Sequence, residues 1–499
     1  MGEIAKSMVA NAQQAAANVR PDQSNAVVGC CDPAKHLVLG FFFDGTGNFE
    51  KFDNEQAKKD DKWARNRPND MTQESPGESS PSNVAKLSRL FPHKPENHIH
   101  RIYIRGVGTV TKAKKQEEYT KLGQGFGLGE EGGQARIKEA KEKLMDVLDA
   151  LRPCPPDSVT IDIFGFSRGA ALARHFVNVI RAGLPDLSKK PQPVQGVVLP
   201  TSQPLGAMRP VVEDVVVAMG DSVSTTSSIT AMYPPLPNVT IRFVGLFDTV
   251  GSFYWPGNAD EGEFILHLAS GCAGKIVHLV AADERRKNFP CTDIQGSGGE
   301  EITMAGVHSD IGGGYKLVEK RLLVIDSEPY NAAPFVNGQP KAKAAILARA
   351  RVKGLCNGED LLPGYLLIQG DESSTDSSTT GRYFLVHVKM THNGYATVPL
   401  HLMYNKAKDV GVPFIPIDKA DKPERYAIPD DLAQYASSPP LSLPSELWEK
   451  YQHVSAVDMG PMVQYNLPYP LGYYDESIAG RYGMTLDANP KGPRRKVAN

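Results

Sequence analysis

Long apolar runs are missing from this sequence. Its most apolar extended stretch, Phe264 to Ala282, is interrupted by His267, Lys275 and His278. A membrane-spanning helix needs roughly 20 nearly uninterrupted apolar residues. The opening MGEIAKSMVANAQQAAANVR has none of the continuous apolar region that a secretory signal requires. Work outside the producing cell would therefore need another export route. An excess of one charge is also missing. Lys+Arg number 55 and Asp+Glu 57, for a net charge of −2. That balance excludes nucleic acid as the main partner, because phosphate binding calls for a basic excess. The six cysteines, Cys30, Cys31, Cys154, Cys272, Cys291 and Cys356, form no CxxC pair and no disulfide framework. They point to synthesis in a reducing compartment, with Cys30 and Cys31 inert. GQGFGLG and GVG do not fit G-x-G-x-x-G, and G-x-x-x-x-G-K-[ST] does not occur, so nucleotide binding has no support. His98 and His100 read as alternating polar residues on a strand edge rather than as metal ligands. No metal and no organic cofactor is required.

What is present is an alternation of strands and helices over about 36–315, which implies a mostly parallel sheet. HLVLGFFF (36–43) is short, apolar and β-rich, as a strand buried on both faces should be. It ends in DGTGN. Residues 50–84 form a polar surface loop up to a brief helix over 84–90, and 98–108 alternate as a strand. A glycine-rich stretch (123–133) leads into a helix from Gln134 to Leu151, with Ile137, Leu144, Val147, Leu148 and Leu151 on one face. SVTIDIFGF (158–166) is the next strand, and it breaks into a helix from Arg168 to Ala182, closed by Gly183. Residues 184–238 lack helical periodicity and read as an insertion. A strand over 240–250 is followed by a mixed helix to about Ala282, where Asp283, Glu284, Arg285 and Arg286 read as a salt-bridged helix end. EITMAGV (301–307) is a further strand, and YFLVHVKM (383–390) another. The domain reading is an N-terminal tail over 1–35, a catalytic core over 36–315, and a region over 316–499 that completes or covers the core.

Gly165-Phe166-Ser167-Arg168-Gly169 is the one G-x-S-x-G match in the chain. A strand leads directly into it and a helix directly out, which is the setting of a nucleophile elbow. Ser167 must sit on a strained turn so that its hydroxyl projects from the sheet. The flanking glycines remove Cβ atoms that would clash there. A serine needs a base to take its proton. In an α/β-hydrolase the order along the chain is Ser, then Asp or Glu, then His. Asp248, after the strand at 240–247, and His308, after the strand at 301–307, supply that order. Asp310 is the alternative acid. An oxyanion hole needs amides aimed at one point. The amide of Arg168 supplies one, and the Gly45–Thr46 region of DGTGN is placed to supply the other. The Arg168 guanidinium has two readings: a phosphodiester contact, or an internal salt bridge to Asp162 or Asp248.

FFFDGTGN, GFSRGAA, GLFDTVGS, AADERR and GVHSDIGGGY, in this order, resemble bacterial type VI secretion lipase effectors. NVAKL (83–87), RGVGT (105–109) and VPLHLMYNKAKDVGVPF (398–414) add to the likeness. The resemblance implies an α/β-hydrolase fold with helices on both faces of the sheet, insertions and a C-terminal extension. It implies a phospholipase delivered into a rival bacterium and acting in its periplasm on membrane phospholipid. It also implies an immunity protein that neutralises the enzyme and a spike or adaptor that carries it. It makes Ser167 the nucleophile, Asp248 the orienting acid and His308 the base. Two other readings of the chain are an acyl esterase or thioesterase on non-lipid substrates, and a non-catalytic interaction protein on the same fold.

Overall fold

The structure is a computed structural model. It describes residues 36–48, 80–109, 132–190, 192–193, 231–253, 264–284, 286, 289–331, 338–358, 360–373, 380–453, 464–465, 471–473 and 496–497. The expected tail over 1–35, nearly all of the 50–84 loop, most of the glycine-rich stretch at 123–133, the greater part of the 184–238 insertion, Cys30, Cys31 and Arg285 lie outside the described residues.

The core is a six-stranded sheet in which every pairing is parallel. Its strands are β1 (His36–Phe43), β2 (Ile99–Ile104), β3 (Ser158–Phe166), β4 (Val239–Phe247), β5 (Lys275–Ala281) and β6 (Glu300–Met304). They lie in the order β2-β1-β3-β4-β5-β6. Alternate residues of β1 serve opposite faces, as strand geometry dictates. Leu37, Leu39 and Phe41 join one hydrophobic core, and Val38 and Phe42 the other. The first face is covered by helix α2 (Gly133–Ala150), through Ile137, Ala140, Leu144 and Leu148, and by helix α3 (Arg168–Arg181). The second face receives helix α1 (Asn83–Leu90), through Val84, Leu87 and Leu90. Ser82 caps α1, its hydroxyl accepting from the Ala85 amide at 3.0 Å.

Over the described residues 264–282 the expected helix does not form. Residues 264–270 follow no regular element, and KIVHLVA forms β5, buried between β4 and β6. A short apolar run is compatible with a buried helix or a buried strand, and only its place in the sheet decides. The residues after it are accordingly a loop rather than a helix end, although Arg286 does pair with Glu284 at 2.8 Å. The cysteines also need a correction. Cys272, Cys291 and Cys356 form no disulfide, but Cys154 is disulfide-bonded to a partner outside the described residues. Bridging depends on distance in space, which spacing along the chain does not report.

Beyond the core and the short helix α4 (His308–Gly312) the chain builds a second sheet. Strand β7 (Val318–Asn331), helix α5 (Gly338–Val352), strand β8 (Tyr365–Ser373) and strand β9 (Thr380–His392) form its body. β9 pairs antiparallel with both β7 and β8. Two short edge strands, Gln464–Tyr465 and Leu471–Tyr473, complete it. Ala342, Ile346 and Ala350, spaced four apart on α5, pack on Ile325, Tyr330, Tyr383 and Leu385. A bulge between Val324 and Asp326 shifts the phase of β7, so its apolar alternation is broken and its sequence does not read as a strand. The chain then returns to the first sheet. Helix α6 (Thr397–Lys408) lays Val398, Leu400 and Met403 on the face that holds Phe164, Phe243 and Phe247. Helix α7 (Ser445–Tyr451) is tied to β9 by Lys389, which donates to the Trp448 and Glu449 carbonyls and lies 3.9 Å from the Trp448 ring. Burial lowers this lysine's pKa to about 8.

One polar contact crosses the core. Asp162, in the middle of β3, is fully buried. Arg242 reaches it from the register shift between β3 and β4, with Nε at 2.9 Å. Burial nevertheless raises the Asp162 pKa, against the pull of Arg242. Arg242→Met should therefore leave an unpaired buried carboxylate and lower the unfolding free energy in urea by about 3–5 kcal/mol, whereas the double variant Asp162→Leu/Arg242→Met should recover most of the loss. An equal loss in both would locate the effect elsewhere.

Candidate active site

The carboxyl ends of β3 and β4 lie side by side, with Phe166 opposite Phe247. The next residue on each strand is Ser167 or Asp248. Both have a left-handed backbone, with φ 59° for Ser167 and 43° for Asp248. Such a backbone is sparsely populated by non-glycine residues and marks local strain. Both strained residues are held by the neighbouring strand. The Ser167 amide donates to the Phe247 carbonyl at 3.0 Å, and the Asp248 amide to the Leu279 carbonyl at 2.7 Å. Ser167 also accepts, at its carbonyl, from the amides of Ala170 and Ala171 as α3 begins. The two glycines of the motif are required by close packing. A Cβ on Gly165 would sit 2.6 Å from the Ala170 Cα, and one on Gly169 would sit 2.2 Å from the Asp44 carbonyl oxygen.

The structure brings Asp248 and His308 together. Asp248 is fully buried. Its Oδ1 accepts from the Ala281 amide at 3.0 Å, and its Oδ2 lies 2.5 Å from His308 Nδ1. With a carboxylate as acceptor, Nδ1 is the protonated ring nitrogen. The His308 ring sits between Phe166, at 4.7 Å, and Phe289, at 4.9 Å. Asp310 has other contacts: its Oδ1 lies 2.6 Å from His453 Nδ1, and its Oδ2 accepts from the Val307 and His453 amides at 3.0 Å. Next to Asp248, the Thr249 amide donates to His278 Nε2 at 3.1 Å, and His278 Nδ1 meets Glu301 at 3.1 Å. Burial lowers the His278 pKa against the opposing pull of Glu301. A neutral ring with its proton on Nδ1 satisfies both contacts.

The DGTGN loop packs against this site. Asp44 is the loop's anchor. Its Oδ1 accepts from the Gly45 amide at 2.7 Å and from the Ser82 hydroxyl at 2.6 Å, and its Oδ2 accepts from the Tyr103 hydroxyl. The Gly47 amide donates to Val107 and the Asn48 amide to Gly45. Among the described residues, the Thr46 amide is the one in this loop without a partner. Gly45 therefore has an amide already engaged. The Arg168 Nε donates to the Thr46 hydroxyl at 2.8 Å, and burial lowers the guanidinium pKa to about 10, so it stays charged at neutral pH. The two acids considered as its partners have other contacts: Asp162 pairs with Arg242, and Asp248 meets His308.

Several contributors escaped the sequence reading. They are His278 and Glu301 beneath Asp248, the two phenylalanines beside His308, and Gln452 and His453 from the C-terminal region. AADERR and GVHSDIGGGY carried a signal for the carboxylates around His308, but nothing in the sequence ties residues 452–453 to them. A cavity of about 820 Å³, lined by Ile180, Arg181, Leu184, Ile241 and Cys272, lies at the opposite end of β4, away from Ser167. Among the described residues no group of His, Cys, Asp and Glu could hold a metal ion, and no helix is long and apolar enough to cross a membrane. His100 lies on edge strand β2, its pKa lowered first by burial and then by His93 and His98.

No curated protein matches the chain in sequence. Among solved structures it is similar to the Tle1 effector bound to the VgrG spike from the Type 6 secretion system. The TM-score is 0.51 and the identity 20%, over 96% of this chain and 98% of that one. That likeness establishes the fold. An uncharacterized protein from Pseudomonas aeruginosa matches with a TM-score of 0.36 and 19% identity, over 84% of this chain and 50% of that one. A family model described as "T6SS, Phospholipase effector Tle1-like, catalytic domain" matches residues 35–331. That span is more than half of the sequence, and the chain belongs to the Tle1-like phospholipase effectors of the type VI secretion system.

Proposed function

We propose that this effector is a serine phospholipase of the A type that cleaves acyl esters through Ser167, His308 and Asp248. The observation that supports this most is the Asp248–His308 contact at 2.5 Å, one strand end away from a serine in a strained strand-to-helix turn. Asp248 keeps the His308 proton on Nδ1, which leaves Nε2 as the base. Nε2 takes the Ser167 proton as Oγ attacks the acyl carbonyl. The Thr46 and Arg168 amides receive the developing oxyanion. His308 then returns the proton to the departing lysophospholipid oxygen as the C–O bond breaks. Water, deprotonated by the same nitrogen, attacks the acyl-enzyme, and the fatty acid leaves with Ser167 restored. Ser167→Ala should leave the circular dichroism spectrum unchanged and lower ester turnover by several orders of magnitude, with His308→Ala comparably damaging. Asp248→Asn should also lower turnover strongly, by loss of imidazole orientation. Near-wild-type turnover of folded Ser167→Ala would remove the nucleophile assignment, and a greater loss in Asp310→Asn than in Asp248→Asn would reassign the acid.

Arg168 serves the oxyanion loop in this reading. Its bond to the Thr46 hydroxyl braces the residue whose amide faces the oxyanion. Arg168→Gln should therefore slow hydrolysis of a phospholipid and of a neutral short-chain ester by the same factor. A much larger loss on the phospholipid alone would make Arg168 a reader of the phosphodiester instead.

Membership in this effector family supports secretion into target cells. The related effector's complex with a VgrG spike supports carriage of this chain on such a spike. We assign the periplasmic face of the target membrane as its place of action, with an immunity protein guarding the producer. Export to the periplasm of a susceptible bacterium should stop growth, whereas cytosolic expression should be far less harmful. Ser167→Ala in the periplasm should be harmless; equal growth arrest by that variant would point to a pore or a binding mechanism.

A further inference from the structure

The backbone that carries His308 is held by three carboxylates in succession. The Gly306 amide donates to Asp283 Oδ2 at 2.7 Å, the Val307 amide to Asp310 Oδ2 at 3.0 Å, and the His308 amide to Glu284 Oε2 at 3.2 Å. These amides belong to the start of the short helix His308–Gly312 and the turn before it, where no helical acceptor exists. Gly306 makes the turn possible. Its φ is 107°, and a Cβ there would lie 2.7 Å from the Asp310 Cβ.

Each carboxylate is in turn held by a second group. Arg286 holds Glu284 through Nε at 2.9 Å and a terminal nitrogen at 2.8 Å. Gln452 Nε2 donates to Asp283 Oδ2 at 2.8 Å. His453 holds both oxygens of Asp310, with its amide at 3.0 Å from Oδ2 and its Nδ1 at 2.6 Å from Oδ1. The His453 ring is buried and stacks on Tyr315 with centroids 3.8 Å apart. Two of the three holders are thus adjacent residues just past α7. They lie outside residues 35–331, which the family's catalytic-domain model matches.

We propose that Gln452 and His453 are positioning residues for the catalytic base. They fix Asp283 and Asp310, which hold the Gly306 and Val307 amides in the turn just before His308 and so aim its ring. The C-terminal region then completes the active centre rather than merely covering it. This inference rests on His308 being the base. Misplacing a reacting group by about 1 Å can lower the rate on the order of 100-fold, so the effect should fall on the chemical step and not on substrate binding.

The test uses the full chain. His453→Ala should lower kcat by about 10- to 100-fold with KM unchanged. It should slow labelling of Ser167 by a fluorophosphonate by the same factor. His453→Asn, whose amide N–H can stand where the Nδ1–H stands, should restore both rates to within a few-fold of wild type. Gln452→Ala should lower kcat more mildly, again at constant KM. Thermal unfolding of each variant is measured in parallel, with Ser167→Ala and His308→Ala as references. If the references are inactive and His453→Ala keeps its kcat, the positioning role is overturned while the triad stands. A fall in kcat that tracks lost thermal stability and is not restored by Asn overturns it equally. Full turnover in His308→Ala would overturn the triad, and the positioning role with it.

Discussion

Two left-handed residues at neighbouring strand ends, Ser167 and Asp248, are the constraint on which the site depends. Neither conformation is favoured for a residue with a side chain, and each persists because the next strand holds its amide. The strain is useful. It lets the chain pass at Ser167 from β3 straight into α3, and it places the Asp248 carboxylate against the Ala281 amide and the His308 ring. A parallel sheet is well suited to this, because all its carboxyl ends share one edge and every strand there can brace its neighbour. The close packing of Gly165 and Gly169 follows from the same turn: α3 starts so near the sheet that no Cβ fits between them.

A buried carboxylate must be supplied with partners or it destabilises the fold. The structure meets this demand in layers. Asp248 receives an amide from β5 and the His308 ring. Asp44 receives an amide and two hydroxyls, and by doing so shapes the loop that presents Thr46. Asp283, Glu284 and Asp310 receive the amides around His308. The acidic residues near the site thus act mostly on backbone. They convert loops, which would otherwise be its loosest parts, into fixed supports for Thr46 and His308.

The second sheet and α7 extend that support outward. Lys389 on β9 binds the Trp448 and Glu449 carbonyls at the end of α7, a few residues before Gln452 and His453 reach the carboxylates. A region whose sequence shows little periodicity is therefore connected, through a buried lysine and a short helix, to the carboxylates that hold the backbone around His308.

The sequence by itself determined the elements with strong local signals. β1 was legible because a strand buried on both faces must be almost uninterruptedly apolar, and α2 because one face must be apolar at helical spacing. The strand–serine–helix junction was legible because a turn that tight admits only glycine at two offsets from the serine. That Ser167, Asp248 and His308 each come shortly after a strand of the parallel sheet was legible too. Only the tertiary structure decided the rest. β5, a seven-residue and mostly apolar segment, looks like a buried helix until the neighbours on each side are known. The bulge in β7 erased the alternation by which a strand is recognised. Gln452 and His453 lie well over a hundred residues from Asp283 and Asp310, and a hydrogen bond across that separation leaves no trace in local pattern. It exists because α7 is folded back against the sheet, and that is a property of packing, not of sequence spacing.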